Sequence, residues 1–433
     1  MPEMRVACVQ FQPLRTAVTA NVDRMIAFWP DGCVLTVFPE LATTGYLFLS
    51  PDEIRVYAEP ADGPSLSRLI QAAAAKNAYA VVGFAEAKNG RIYNSAALVG
   101  PHGVIDVYRK VHLFDRELSV FSPGREAWRV HDVGGLRVGM MICFDWLFPE
   151  AARALALAGA ELIAHPSNLV LPYCQDAMIT RCLENRVYAA TANRVGEETD
   201  GETSLHFTGK SQIVSPKGER LAQAGAEEDA VVVAEIDPSL AYDKRATPSN
   251  HIFAQRVPHL YHALTDDIVP LRSEKPYRLN VAAIVVDRLG RILAGERSDL
   301  PGVWQLPQGG IDPGESEEEA LRRELAEEIG VAAEEIEIVA RSNEVRTYSF
   351  PAYLRRMRIA QEWSGQAQRY FVVRLKKGAE PAVEASDGEF CAFRWLAAEE
   401  LLAQAVHFKR AAYAAAFSEF AHLLRPDPLS DDA

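Results

Sequence analysis

Over the first 264 positions, short apolar runs alternate with stretches of helical spacing. Residues 6–11, 34–39, 80–85, 96–99, 138–143 and 162–165 are continuous enough in Val, Ile, Leu and Ala to predict buried strands. The spacing predicts helices over 21–28, 65–76, 149–157 and 176–190, with further strands near 211–215 and 231–236. A polar stretch without apolar periodicity then interrupts the pattern. Alternation resumes at 279–286 and 291–296, which flank Asp287-Arg288-Leu289-Gly290 and predict a hairpin. From Ser316, a plausible N-cap, Ala320, Leu321, Leu325 and Ile329 form an apolar stripe at helical spacing. Strands near 336–340, 370–375 and 392–395 and a closing helix over 408–424 complete the chain. The whole predicts two α/β domains, 1–264 and 276–425, with a linker at 265–275 and a polar, acidic tail at 426–433. The length of 433 residues agrees, since it exceeds a typical single domain.

Composition narrows the class. Hydrophobic residues at 48% and charged residues at 24% are ordinary for soluble proteins with full cores. No apolar run reaches membrane-spanning length, and the first residues start a strand without a basic leader, so no membrane partner is expected. Cys8, Cys33, Cys143, Cys174, Cys182 and Cys391 lack CxxC spacing, which indicates neither a zinc site nor a disulfide framework and points to the cytoplasm. Lys and Arg number 24 against 30 Asp and Glu up to Leu264, and 21 against 29 beyond it. Both halves are acidic, which argues against broad binding along a nucleic-acid backbone while leaving room for a grip on one phosphorylated end.

Three strand ends in the first half carry useful chemistry. The run 34–39 leads into Glu40, Val107-Tyr108-Arg109 into Lys110, and 138–142 into Cys143. A thiol with a carboxylate base and an ammonium for the oxyanion suits acyl transfer. Taken singly each is weak, because a lone buried Cys is usually a small hydrophobe. Their flanks are specific: FPELATTGY, RKVHLFDRE and GMMICFDWLFPE resemble the three signature segments of the nitrilase (carbon–nitrogen hydrolase) superfamily. That resemblance implies an αββα sandwich that forms homo-oligomers, with Cys143 as nucleophile, Glu40 as general base and Lys110 as oxyanion stabiliser. It also implies Glu117 as the partner of Lys110, the Phe144 N–H as a second oxyanion donor, a small amide or nitrile as substrate, and no cofactor. Asn168 either contacts substrate or makes a structural turn, and Trp146 either walls the pocket or packs in the core. His112 and His165 read as hydrogen-bonded scaffold.

In the second half, five residues separate Gly309-Gly310 at its first glycine from Glu315, and seven separate Glu315 from Arg323. Glu324, Glu327 and Glu328 then share one helical face before Gly330 and Val331. Three close carboxylates repel one another unless a hard cation sits among them, and oxygen ligands suit Mg²⁺ or Mn²⁺. This is a Nudix box, and its α/β/α surroundings resemble bacterial RNA 5′-pyrophosphohydrolases and dinucleoside polyphosphate hydrolases. The resemblance implies metal binding by Glu324, Glu327, Glu328 and Glu389, a catalytic carboxylate at Glu327 or Glu389, and Arg323 bracing Glu315. The substrate it implies is a nucleoside polyphosphate or the 5′ end of an RNA. Arg278, Arg297, Lys409 and Arg410 are either phosphate contacts or solvated surface; Tyr348 and Phe408 either stack on a base or pack in the core. Together these features predict a bifunctional hydrolase, the alternative being that one domain senses a ligand without turning it over.

Overall fold

The computed structural model describes residues 4–200, 203–265, 275–351, 354, 357–385 and 388–426, in two compact units, Met1–Arg256 and Val257–Ala433. Most of the expected linker (266–274) and of the tail (427–433) lies outside the described residues.

The first unit is built on two six-stranded sheets. One runs in the order Ala230–Ile236, Met4–Gln10, Leu35–Val37, Tyr79–Lys88, Arg91–Gly100, Gly103–Arg109. The other runs Arg220–Gln223, Gln212–Val214, Tyr188–Ala192, Leu162–Pro166, Leu136–Met140, Val130–Val133. Strand alternation sends Val6, Cys8, Leu35, Val37, Val81 and Leu98 into a cluster with Val138, Met140, Leu162 and Ala164 of the facing sheet. The opposite faces, through Val9, Val82 and Val99, pack against Val22 and Met25 of helix Val18–Phe28 and Leu66 and Leu69 of helix Pro64–Lys76. Helices Pro149–Leu157 and Cys174–Asn185 cover the second sheet with Leu155, Met178 and Cys182. Strands buried on both faces account for the continuous apolar runs. Each fully buried Val or Leu contributes roughly 1.5–3 kcal/mol, so this four-layer stack is a firm platform for side chains at its strand ends.

One expected helix is too long. It spans Cys174–Asn185, Arg186 turns left-handed at φ 49°, and Tyr188–Ala192 is a strand between Leu162–Pro166 and Gln212–Val214. Ala189, Ala190 and Ala192 suit that central position because it is fully enclosed, and a run of Ala imitates a helix in sequence.

The second unit has a five-stranded sheet in the order Gln308–Gly310, Tyr277–Val285, Gly365–Leu375, Ile336–Arg341, with Arg346–Ser349 also pairing to Gly365–Leu375. A three-stranded sheet runs Trp304–Gln305, Ile292–Arg297, Phe390–Leu396. Helix Glu317–Ile329 buries Ala320, Leu321, Leu325 and Ile329 on Val281, Ala283, Phe371 and Val373. Helix His407–Glu419 buries Tyr413, Ala416 and Phe417 on the other face, against Ala282, Ile284 and Val372. The expected hairpin around Asp287–Gly290 is not a paired ribbon. Only Val286 and Ile292 bridge, after which the strands part into separate sheets. Asp287 tightens the turn by accepting from the N–H groups of Leu289 (2.9 Å) and Arg291 (2.8 Å), while Ile292–Arg297 takes Phe390–Leu396 as its partner.

Candidate active sites

In the first unit, Glu40 follows strand Leu35–Val37, Lys110 follows Gly103–Arg109, and Cys143 stands just beyond Leu136–Met140. Backbone clearance brings Glu40 in. A Cβ on Gly83 would lie 2.3 Å from the Pro39 carbonyl oxygen and 2.6 Å from the Glu40 Cα, so the neighbouring strand must carry glycine there. The Lys110 ammonium is fully buried and donates to Glu40 Oε1 at 2.6 Å and to Glu117 Oε1 at 2.7 Å. Asn94 Nδ2 adds a third donor to Glu40 Oε1 at 2.7 Å, and the Tyr46 hydroxyl donates to Glu117 Oε1 at 2.7 Å. Glu40 Oε2 is buried and has no hydrogen-bond partner. Burial disfavours the Lys110 charge, yet Glu117 and Glu40 outweigh it and hold its pKa above the ordinary lysine range. Two carboxylates share that one ammonium, and burial with the repulsion of Glu40 pushes Glu117 up to about 7 against the pull of Lys110. Burial, then Glu40, likewise raises the Cys143 thiol well above its usual value, with Lys110 opposing. The resting thiol is therefore neutral.

Cys143 opens a short helix, Cys143–Leu147, in a left-handed conformation at φ 40°. A non-glycine residue holds that region only when its surroundings fix it. Asp145 does so: it is fully buried and accepts from the Ile142 N–H (2.9 Å), the Tyr108 hydroxyl (2.7 Å) and the His112 N–H (3.2 Å), with the His112 ring Nδ1 at 2.7 Å. His165 Nε2 lies 2.9 Å from the Cys143 carbonyl oxygen, and burial lowers its pKa to about 4, so it is a neutral N–H donor. Phe144 is the second residue of the short helix, where first-turn N–H groups have no partner within the helix. Asn168 donates from Nδ2 to the Glu40 carbonyl oxygen at 2.9 Å, and its backbone N–H faces the Cys143 sulfur. Trp146 is buried in the core cluster that includes Cys143.

The Nudix-box residues of the second unit are placed by a capped helix. Ser316 and Glu319 form a reciprocal cap, and Gly330 ends the helix at φ 70°. Glu315 accepts twice from Arg323, at 2.9 and 3.0 Å, and Arg323 also donates to the Gly310 carbonyl at 2.8 Å, so this pair braces the loop on the helix. The two glycines are clearance for side chains. A Cβ on Gly309 would fall 1.7 Å from the Glu324 carboxyl carbon, and one on Gly310 would fall 2.2 Å from the Arg278 guanidinium.

A cavity of about 660 Å³ brings together Arg278, Arg297, Glu324, Glu328, Tyr348, Glu389, Phe408 and Lys409. Glu328 is buried, accepts from the Gln308 N–H at 2.7 Å, and is pushed up to about 10 by burial and by Glu389 beside it. Glu389 also accepts from Gln305 Nε2 at 2.9 Å. Lys409 is buried too, donates to Gln305 (2.8 Å) and Gln308 (3.1 Å), and burial with Arg297 nearby lowers it to about 7. Tyr348 and Phe408 lie 5.7 Å apart, the first buried and the second half-exposed. One expectation does not hold in this arrangement. Arg410 is turned away from the cavity and donates to the carbonyls of Ala405 (2.9 Å) and Ala403 (3.1 Å) at its helix start. The four acidic residues stand apart: among the described residues no three His, Cys, Asp or Glu side chains form one close group. Helical spacing fans them out. Glu327 leans to solvent with Arg323 at 3.1 Å, while Glu324 and Glu328 face the cavity.

Sequence reasoning missed Asn94, Tyr46 and Asp145, whose support reaches across 54, 71 and 37 residues of chain. A polar residue inside an otherwise apolar strand, as at Asn94, was the available signal.

Residues 5–246 match the carbon–nitrogen hydrolase family. The chain belongs to that family. Residues 276–416 match the NUDIX domain, and the chain is a member of that family as well. A nitrilase of Pyrococcus abyssi is 49% identical over 263 residues, 60% of this chain and 99% of the relative. An RNA pyrophosphohydrolase of Cereibacter sphaeroides is 43% identical over 140 residues, 32% of this chain and 86% of the relative. Among solved structures, a mutant amidase from Nesterenkonia sp. AN1, with the acetamide moiety of fluoroacetamide added at its active-site cysteine, shares 25% identity at a TM-score of 0.52. It covers 60% of this chain and 95% of its own. Both units thus belong to hydrolase families. No helix among the described residues is long and apolar enough to cross a membrane.

Proposed function

We propose that the chain is a bifunctional hydrolase of the cytoplasm, cleaving a small amide or nitrile in its first unit and a phosphoanhydride bond in its second. The observation that carries the first activity is the buried Glu40–Lys110–Glu117 group, with Glu40 Oε2 left unpartnered beside a neutral thiol. In this reading Glu40 Oε2 takes the Cys143 proton as sulfur attacks the substrate carbon. The oxyanion is held by the Lys110 ammonium and the Phe144 N–H. With an amide the proton returns from Glu40 to the departing amine or ammonia, leaving a thioester; with a nitrile it passes to the nitrogen, giving a thioimidate that loses ammonia once water has added. Glu40, with Glu117 holding Lys110 in place, then draws a proton from water, which attacks the acyl carbon and frees the acid and the thiol. Asn168 and Trp146 border the acyl group. Self-association through the first unit belongs to the same reading, and Leu147, Leu157 and Leu183 are exposed on its helices.

In the second unit, Glu324, Glu327, Glu328 and Glu389 would hold Mg²⁺ or Mn²⁺. Carboxylate oxygens suit such an ion, and Glu324, Glu328 and Glu389 already line one cavity, into which Glu327 would turn from its contact with Arg323. When bound, the metal neutralises charge on the phosphates. Arg278, Arg297 and Lys409 contact phosphate oxygens, Tyr348 and Phe408 wall the base, and Glu389 or Glu327 takes the proton of the attacking water. The substrate class is a nucleoside or dinucleoside polyphosphate or a 5′-triphosphorylated RNA end. The test is a panel of amides, nitriles and polyphosphates on the full chain. Turnover of no amide or nitrile, or of no polyphosphate in the presence of Mg²⁺, removes the corresponding half of the proposal.

A further inference from the structure

A second cavity of the NUDIX unit, about 910 Å³, lies at the far end of its strands from the carboxylate site. Gln366 borders the first cavity and Arg374 the second, eight residues further along strand Gly365–Leu375. At about 3.3 Å per residue, the two are separated by roughly 26 Å. Phe393 and Trp395 stand two apart on strand Phe390–Leu396, hence on one face, and both are half-buried against the core beside Leu293. They form an apolar, aromatic floor. Arg374 and Lys376 line the cavity from the end of strand Gly365–Leu375 and the residue after it, and Arg288 from the turn after strand Tyr277–Val285. Among the described residues none of these three cations has an ion-pair partner within 4.0 Å, whereas Arg291 beside them is held by Asp287 at 2.7 Å. In a chain of net charge −14, cations slightly outnumber carboxylates around this aromatic floor, Arg288, Arg291, Arg374 and Lys376 against Asp287, Glu337 and Glu380. Glu337, directly opposite Arg374 in the ladder, and Glu380 supply carboxylates on the same rim.

We propose that this cavity binds a ribonucleotide unit. The base stacks on Phe393 and Trp395, the phosphate meets Arg374, Lys376 and Arg288, and Glu337 and Glu380 accept from the ribose hydroxyls. Each part of that ligand has its chemical counterpart: a π-face for the base, cations for the phosphate, and acceptors for a diol. The volume lies within the range of small-molecule sites. The site goes beyond the hydrolytic reading and does not depend on it, since it shares no residue with the carboxylate cavity. A free nucleotide and an internal nucleotide of an RNA chain present the same chemistry, so the experiment separates them.

Binding of AMP, dAMP and a 5′-hydroxyl oligoribonucleotide of about six nucleotides is measured by calorimetry on the full chain and on its Arg374→Ala/Lys376→Ala variant. None of these probes contains a phosphoanhydride bond. The variant, altered at exposed side chains only, should bind at least about tenfold more weakly, while hydrolysis of a dinucleoside polyphosphate stays within about twofold. AMP should bind about fivefold or more tightly than dAMP, through the 2′-hydroxyl. Loss confined to AMP identifies a free nucleotide, and loss confined to the oligonucleotide identifies an RNA chain; either supports the site. Equal binding by wild type and variant, no binding of any probe at millimolar concentration, or parallel loss of hydrolysis would overturn it.

Discussion

Removing the Lys110 ammonium and removing the Glu40 charge should have opposite consequences for stability and the same consequence for rate. Lys110 is fully buried between two carboxylates at 2.6 and 2.7 Å. In Lys110→Met the stem keeps its packing, but two buried carboxylates lose their only shared cation. Breaking a buried pair by deleting one partner costs about 3–5 kcal/mol. At about 2–4 °C per kcal/mol for a unit of this size, the melting temperature should fall by roughly 6–20 °C. Glu40→Gln keeps the shape, leaves Lys110 paired with Glu117, and removes the repulsion that helps hold Glu117 up to about 7. Its stability should match or exceed that of the wild type. Both variants should lose at least about a hundredfold in release of ammonia or amine, one for want of the oxyanion cation and the other for want of the base. The pH dependence supplies a sign. Without the pull of Lys110, burial leaves Glu117 titrating still higher in the folded than in the unfolded state, so the fold binds more protons and loses stability as pH rises above about 4. The Lys110→Met deficit should therefore shrink on acidification. Scanning calorimetry at several pH values, with ammonia release at each, checks both parts. A Lys110→Met protein that melts within about a degree of wild type at pH 7 would refute the buried-triad argument.

Other outcomes follow from the same geometry. Gly309→Ala places a methyl 1.7 Å from the Glu324 carboxyl carbon and should suppress phosphoanhydride hydrolysis by at least about a hundredfold, with the first activity intact; near-wild-type rates would mean Glu324 is free to move aside. Adding Mg²⁺ near pH 7 in weak buffer should release about one proton per chain, because Glu328 is held protonated up to about 10, and Glu328→Gln should abolish that release. No pH change on titration would exclude Glu328 as a ligand. Lys409, lowered to about 7, binds a proton more weakly folded than unfolded, so it makes stability rise with pH between about 7 and 10.5; Lys409→Met should flatten that part of the melting profile.

The candidate catalytic residues were legible because the chemistry proposed for them demands rare types in fixed local settings. Glu40, Lys110 and Cys143 each end a strand with a distinctive flank, and the Nudix-box glutamates repeat at helical spacing within a single helix. Local patterns also located most strands and helices, since alternation and apolar stripes reflect burial directly. What failed was long-range. Residues 188–190 of strand Tyr188–Ala192 read as helix from their alanines, and only the neighbouring strands make small residues necessary there. The turn at Asp287–Gly290 has hairpin chemistry, but Phe390–Leu396 captures the second strand. Arg410 is cationic next to Lys409, yet one step along a helix turns its guanidinium onto the carbonyls of Ala403 and Ala405. The roles of Asn94, Tyr46 and Asp145 exist only once separate strands meet.

Two independent chemistries in one chain are tested most directly by crossing one mutation with one metal. Full-length wild type and Cys143→Ala are each assayed for amide hydrolysis and for polyphosphate hydrolysis, with Mg²⁺ and with chelator. The account predicts that Cys143→Ala abolishes the first reaction and leaves the second within about twofold, while chelator does the reverse, because thiolate chemistry carries one and metal-assisted chemistry the other. Amide hydrolysis that survives Cys143→Ala, or that falls with chelator as steeply as polyphosphate hydrolysis does, would contradict it.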